Sequence, residues 1–285
     1  MRPGVNAGLR WPGREKAASA SRPGRAGAEL TALLAIAQRD VIKLLRDRPR
    51  LAVNLAFPVL LIAGLGGLLQ STVGKVTGVS TITLSFTGVL AASLFQSAAA
   101  GMISIVEDRE NDFSRELFVA PVARATLLAG KIAGESAVAL SQGVLIVVFA
   151  LAFGVRMTAG QVLGLAATGA VCCLLGAAFG LATIAALPNQ RSAMQIFQFL
   201  IIPQYVLGGV LVPLTHAPRL LGDLAWLMPM RYGVELVRAA FYAGLPAYSR
   251  VVTVGVATDL AVIAPLTAGL LVAGAALFSY RERAR

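Results

Sequence analysis

VEDRENDFSRELFVAPVARATLLAGK, residues 106–131, packs Glu107, Asp108, Glu110, Asp112 and Glu116 among Arg109, Arg115 and Arg124. The chain around it is 57% hydrophobic and only 14% charged. The runs on either side, 81–105 and 126–153, are long and carry few charges. About 20 apolar residues suffice to cross a bilayer as a helix. A charged link between two such runs therefore reads as an aqueous connection between two membrane spans.

Working outward, the composition supports the same class. Soluble domains run about 45–50% apolar with about 25% charge. Here 14% charge is too little to cover a water-exposed surface of 285 residues. The mean hydropathy is +0.75. Further candidate spans lie at 51–69, 163–186, 192–212 and 252–278, which makes about six. Pro58 and Pro203 fall inside two of them, where neighbouring helices or a local adjustment must satisfy the freed carbonyls. Gly176 and Gly180 form a small-xxx-small pair, a surface for close helix packing.

The net charge of +11 does not point to nucleic acid. Basic residues crowd the ends: Arg39, Lys43, Arg46, Arg48 and Arg50 precede the first span, and Arg281, Arg283 and Arg285 follow the last. No basic-aromatic interleaving of the base-stacking kind is present. The internal connections with the N-terminus inside hold Arg109, Arg115, Arg124, Lys131 and Arg191; the opposite side holds Lys75, Arg156, Arg219, Arg231, Arg238 and Arg250. Counted with both ends of the chain, the bias places both termini in the cytoplasm of a plasma-membrane protein, though the external arginines after the fifth span weaken it.

Residues 1–28 are rich in Gly, Pro, Arg, Ala and Ser without an apolar period and read as a disordered cytoplasmic tail. No apolar stretch of the signal-peptide kind follows the early arginines. A targeting presequence is the other reading. Residues 29–50 place Leu30, Leu33, Leu34, Ala37, Val41, Leu44 and Leu45 on one helical face and Arg39, Lys43 and Arg46 on the other. That is a helix lying in the membrane interface, or an amphipathic helix packed on protein. Residues 51–285 form the membrane domain. Within it, 213–250 is too apolar for a free loop and too interrupted for a span; a pair of short re-entrant helices, with Trp226, Tyr232 and Tyr242 near the headgroups, reconciles the two.

Chemistry is sparse. The only histidine, His216, has no nucleophile or acid set beside it. STVGKVT (71–77) fails as a phosphate loop, because Leu69 stands where the first Gly belongs and Val76 follows Lys75. Cys172 and Cys173 lack partners at metal-ligand spacing and read as small packing residues. No enzyme, bound cofactor or metal is expected. The intramembrane polar residues are Asn54, Gln96, Gln142, Gln198 and Asp259, with Lys131 and Glu135 near an entrance. Such residues mark functional paths or internal hydrogen bonds, and Gln96, Gln142 and Gln198 are the candidate substrate path. Lys131 and Glu135, at i,i+4, neutralise each other, and Asp259 is placed to pair with Arg250 or a headgroup amine.

In the opening stretch, Phe113, Leu117 and Phe118 share a face of a short helix that Pro121 ends, and early acids suit its N-terminus. A charged, aromatic-tipped knob below the membrane is a docking surface. Its sequence, EDRENDFSRELFVAPVARATLLAGK, resembles the cytoplasmic segment of ATP-binding-cassette type 2 export permeases, especially the daunorubicin-resistance-type drug exporters. GGVLVPLTHAP and LMPMRYGVELVRAAF resemble that family's external re-entrant region. The resemblance covers about residue 30 to the C-terminus.

It implies an all-α membrane protein of about six spans, with an N-terminal interfacial helix, a coupling helix (106–125) and the re-entrant region. It further implies pairing with a second copy or a sister permease. ATP and Mg would be bound by a separate cytoplasmic ATPase dimer, not by this chain. By position, coupling falls on Glu107, Asp108, Arg109, Glu110, Phe113, Arg115, Glu116 and Leu117, and the external motif on Pro213, Pro229, Arg231 and Arg238. Asn111-Asp112 departs from the residue-Gly pair of many relatives. The cargo it implies is an amphipathic drug or lipid. Alternatives are a lipid-linked polysaccharide exporter, against which an aromatic content of 7% weighs, and a membrane scaffold without transport.

Overall fold

A computed structural model describes Gln38, Ile42 and residues 48–68, 79–110, 124–185, 187–211, 213, 214 and 218–283. The expected tail, most of the interfacial helix and the centre of the coupling segment lie outside the described residues. Among those described, every regular element is helical.

The first helix, α1 (Arg48–Leu60), contains Pro58 and continues through a π-helical stretch, Leu61–Leu65, into a last turn at Gly66–Leu68. Proline removes one backbone donor, and the π stretch just beyond it is the kind of local adjustment such a helix needs. The second, α2 (Thr81–Gly101), is apolar on nearly every side and mostly buried. It breaks at Met102 and Ile103, whose N–H groups bond three residues back to Ala99 and Ala100 at 3.2 and 3.0 Å. Helix resumes as α3 (Ser104–Glu110). Then follows α4 (Arg124–Ala152). It ends where Gly154 takes φ +87 and the Val155 N–H bonds back to the Ala150 carbonyl at 3.0 Å, a glycine stop of the Schellman kind.

A capping box between Thr158 and Gln161 starts α5 (Ala159–Ile184). The Asn189 side chain caps α6 (Gln190–Leu207) through the Ser192 N–H at 2.8 Å. Two short helices, α7 (Arg219–Ala225) and α8 (Pro229–Tyr242), precede the four-residue α9 (Tyr248–Val251) and the long α10 (Val256–Arg283).

Among the described residues four helical stretches are long and apolar enough to cross a membrane: Thr81–Glu107, Thr126–Ala152, Ala159–Ile184 and Val256–Tyr280. The other two expected spans correspond to α1 and α6. The first is broken by the π stretch, and the second is diluted by Gln190, Arg191, Gln195, Gln198 and Gln204.

At the centre α2 packs on α5, α4 and α8, and α5 in turn packs on α10, α8 and α4. A Cβ on Gly176 or Gly180 would collide with the carbonyl of Phe95 or Ala99. The small-xxx-small surface expected on α5 is therefore where α2 docks, backbone against backbone. Cys172 and Cys173 are buried in the same core without a disulfide.

The two short helices of the 213–250 region differ in exposure. Only α7 suits the surface, with Leu220 and Leu227 exposed and Trp226 47% exposed. Helix α8 instead lies inside the bundle against α5, α2 and α10, and Tyr232 and Tyr242, expected at the headgroups, are buried there. The cause is a polar stripe with internal partners. Arg231, Glu235, Arg238 and Tyr242 recur at i, i+4, i+7 and i+11 on one face; flanking loops bring bonds to Glu235 and Arg238, and the Gly222 carbonyl of α7 accepts from Arg231.

Candidate functional site

Where α1, α2 and α4 meet they leave a cavity of about 240 Å³. On α2 its wall is Ser93, Gln96, Ser97 and Ala100, and on α4 it is Glu135, Val138 and Gln142; α1 contributes Asn54, Phe57 and Pro58. The spacings i, i+3, i+4, i+7 on α2 and i, i+3, i+7 on α4 each define one helical face. Two polar stripes on otherwise apolar helices thus face each other. Polar groups at membrane depth are costly unless they meet each other or water, so their convergence is the chemical feature of this end of the bundle.

The wall is partly satisfied from within. The Tyr205 hydroxyl of α6 donates to Gln96 Oε1 at 2.6 Å, and the Tyr205 ring meets Phe57 edge-on at 6.1 Å. Phe57 is 51% exposed, so this aromatic pair stands at the mouth of the cavity. Ser93 Oγ is buried and has no hydrogen-bond partner among the described residues.

At the other end, Glu135 and Lys131 are both buried, with Lys131 Nζ 3.8 Å from Glu135 Oε1. This is the i,i+4 neutralisation read from the sequence. The Ser104 hydroxyl donates to Glu135 Oε1 at 3.2 Å and also to the Gly101 carbonyl. The carboxylate lies so close to Gly101 that any Cβ there would strike it. Glu135 therefore joins the cavity to the break between α2 and α3, where the charged segment begins.

Of the coupling residues expected from the sequence, Glu107 is half-buried on α3. Asp108, Arg109 and Glu110 belong to the same helix. Phe113, Arg115, Glu116 and Leu117 lie outside the described residues. Of the three glutamines, Gln96 and Gln142 share the cavity, whereas Gln198 is exposed on α6 and does not line it.

The external-motif residues gather around α8. Pro213 is buried and Pro229 is the first residue of that helix. The Arg231 guanidinium lies 4.1 Å over the Trp226 ring. Arg238 is 1% exposed, and its NH2 group donates to the carbonyls of Gly209 and Val210 at 2.7 and 3.1 Å. Glu235 accepts from the Thr253 N–H at 2.9 Å and its hydroxyl at 2.6 Å.

Asp259 differs from its expected role. It is fully buried, neither carboxylate oxygen has a hydrogen-bond partner among the described residues, and Arg250 is exposed. The charges bearing on it are Glu235 and Arg231 of α8.

Sequence reasoning missed Ser93, Ser97, Ser104, Tyr205 and Gln204, the last of which accepts the Met230 N–H at 3.1 Å where α8 begins. A signal existed for two of them: Ser93 and Ser97 flank Gln96 at one-turn spacing. No group of metal-binding residues occurs among the described residues.

A family model for the ABC-2 type transporter matches residues 31–242. A search of curated proteins found no match. The match runs from the amphipathic segment to the end of α8, through the polar cavity and the buried polar stripe. The chain thus belongs to the ABC-2 type transporter family, as a multi-pass membrane permease component.

Proposed function

We propose that this chain is the permease subunit of an exporter that moves an amphipathic drug or lipid-like substrate out of the cell. In this reading a separate cytoplasmic ATPase dimer, binding ATP and Mg, drives it. A second copy or a sister permease completes the pathway. The protein lies in the plasma membrane with both termini in the cytoplasm and makes no use of nucleic acid.

The observation that carries the reading is the cavity of about 240 Å³ among apolar helices, joined through Glu135 to the break at which α2 turns into the charged segment. A binding space at one end and a docking segment at the other are what a motor-driven permease needs. ATP-driven closure of the motor pushes on Glu107, Asp108, Arg109, Glu110, Phe113, Arg115, Glu116 and Leu117. The push shifts the paired bundles between inward-facing and outward-facing states, because docking energies differ between the two.

Affinity-tagged protein purified from native membranes is expected to carry ATP hydrolysis that amphipathic compounds stimulate. The combined Glu110→Ala, Phe113→Ala variant should insert normally and lose that stimulation. A preparation with no associated ATP hydrolysis would refute the transport reading and favour the scaffold. Stimulation by lipid-linked saccharides and not by small amphiphiles would select the polysaccharide exporter, which the low aromatic content of 7% disfavours.

A further inference from the structure

We propose that the cavity between α1, α2 and α4 receives the head of an uncharged amphiphile that carries hydroxyl or amide groups, such as a glycerol ether; this rests on the permease reading above. The first argument is electrostatic. Glu135 lines the cavity, but it already has Lys131 Nζ at 3.8 Å and the Ser104 hydroxyl at 3.2 Å. The Lys131–Glu135 pair carries no net charge, and Asn54, Ser93, Gln96, Ser97 and Gln142 are neutral. A charged head of either sign would enter apolar surroundings without a free counter-ion, which costs far more than burying a neutral hydrogen-bonding group.

The second argument is the hydrogen-bonding capacity that the wall leaves unused. Gln142 is 8% exposed, and no hydrogen bond reaches its amide among the described residues. Ser93 Oγ is buried and equally without one. Gln96 spends its carbonyl on the Tyr205 hydroxyl and keeps both amide hydrogens. A primary amide offers two donors and an acceptor, and a hydroxyl one donor and two lone pairs. Such a wall matches a head that both donates and accepts. An ammonium only donates, and a carboxylate only accepts.

The third is depth and shape. Gln96 and Gln142 stand near the middles of the stretches Thr81–Glu107 and Thr126–Ala152, where lipid supplies no hydrogen bonds to satisfy them. A polar group left bare there is costly, so the cavity gains most from an occupant that brings its own hydroxyls. Pockets for whole drug-sized molecules measure about 300–1,000 Å³. A space of about 240 Å³ takes a head group, while a tail can leave past the exposed Phe57 at the mouth.

The test uses the full-length protein in nanodiscs of zwitterionic phospholipid, with binding to protein-free discs subtracted and affinity expressed as mole fraction of probe in the bilayer. The probes share a dodecyl chain with a pyrene at its far end and differ in the head: a glycerol ether, a methyl ether, an ammonium and a carboxylate. The glycerol ether should bind about tenfold more tightly than the methyl ether, as one or two net hydrogen bonds require, and more tightly than either ion. Gln142→Leu should bring it down to the affinity of the methyl ether, and Ser93→Ala should weaken it severalfold. Because no bond within the protein holds the Gln142 amide, Gln142→Leu is expected to keep or raise the thermal unfolding midpoint.

Equal affinities for the two ethers, the result of a wall satisfied by water alone, would overturn the proposal. So would an ionic head that binds as tightly as the glycerol ether, or a Gln142→Leu loss that is the same for both ethers. A Gln142→Leu chain that unfolds earlier or fails to fold would show that the amide has a structural partner, which also counts against it. No ATPase enters this assay. A negative result rejects the neutral-head site and leaves the permease reading intact, whereas missing ATP hydrolysis rejects that reading alone.

Discussion

Gly176 and Gly180 lie one turn apart on α5 with the backbone of α2 pressed against them. Nothing lies within 4 Å of a Cβ built on Gly269 of α10. The same chemical change should thus have opposite results. Gly180→Ala forces two packed helices apart, at about 1–3 kcal/mol for overpacking. Gly269→Ala adds helix propensity at no steric cost, a gain of up to about 1 kcal/mol. Thermal unfolding followed by size-exclusion chromatography should show a lowered midpoint for the first and an unchanged or raised one for the second. At this scale the sequence was legible in part. A glycine pair on an apolar helix announces a close approach, and a glutamine among apolar residues announces a polar wall. That Glu135 would sit against Gly101 was not legible, because more than thirty residues separate them and nothing local encodes the crossing.

Helix α8 shows how an element can mislead when its partners are loops. Its arginines and glutamate read as external charge, yet Arg238 reaches the Gly209 and Val210 carbonyls at the end of α6, and Glu235 holds Thr253 before α10. Gly88 of α2 leaves the space that the Val210 carbonyl fills, and Gly209 takes φ +67, a conformation that costs glycine nothing. The loop can therefore turn its carbonyls inward. Replacing Arg238 with Ala strips a charged donor from buried acceptors, at about 1.5–3 kcal/mol. Thermal unfolding should register that loss. Arg238→Lys should recover part of it, since an ammonium also donates but lacks the planar, pre-organised guanidinium that reaches these carbonyls. Asp259→Asn should do the reverse. A buried carboxylate without hydrogen-bond partners is destabilising, so the amide is expected to keep or raise the unfolding midpoint. A drop of several degrees would reveal a partner. Spans were readable from hydropathy because lipid imposes one simple demand on every residue of a crossing helix. The placement of α8 was not, since it depends on which loops return to cover its polar face.

For the whole molecule, the decisive question is which side of the membrane carries the charged segment between α2 and α4. Among the described residues four stretches are long and apolar enough to cross, and each reversal of direction along the chain makes the location of 106–125 depend on that of every other connection. The basic flanks before Leu51 and after Phe278 favour a cytoplasmic location for both ends, and with α1 and α6 counted as crossings too, as the six-span reading has it, residue 114 lies inside with them. The two native cysteines are buried, so the natural chain provides a quiet background for thiol labelling. In intact cells, Ser114→Cys should resist a membrane-impermeant maleimide and react only after permeabilisation, whereas a cysteine replacing exposed Ala243, on the opposite face by the same argument, should react at once. Labelling of residue 114 from outside would invert the bundle and place the docking segment where no nucleotide-driven motor operates. The cavity and the buried stripe would survive that result as structure, but the mechanism of transport would not.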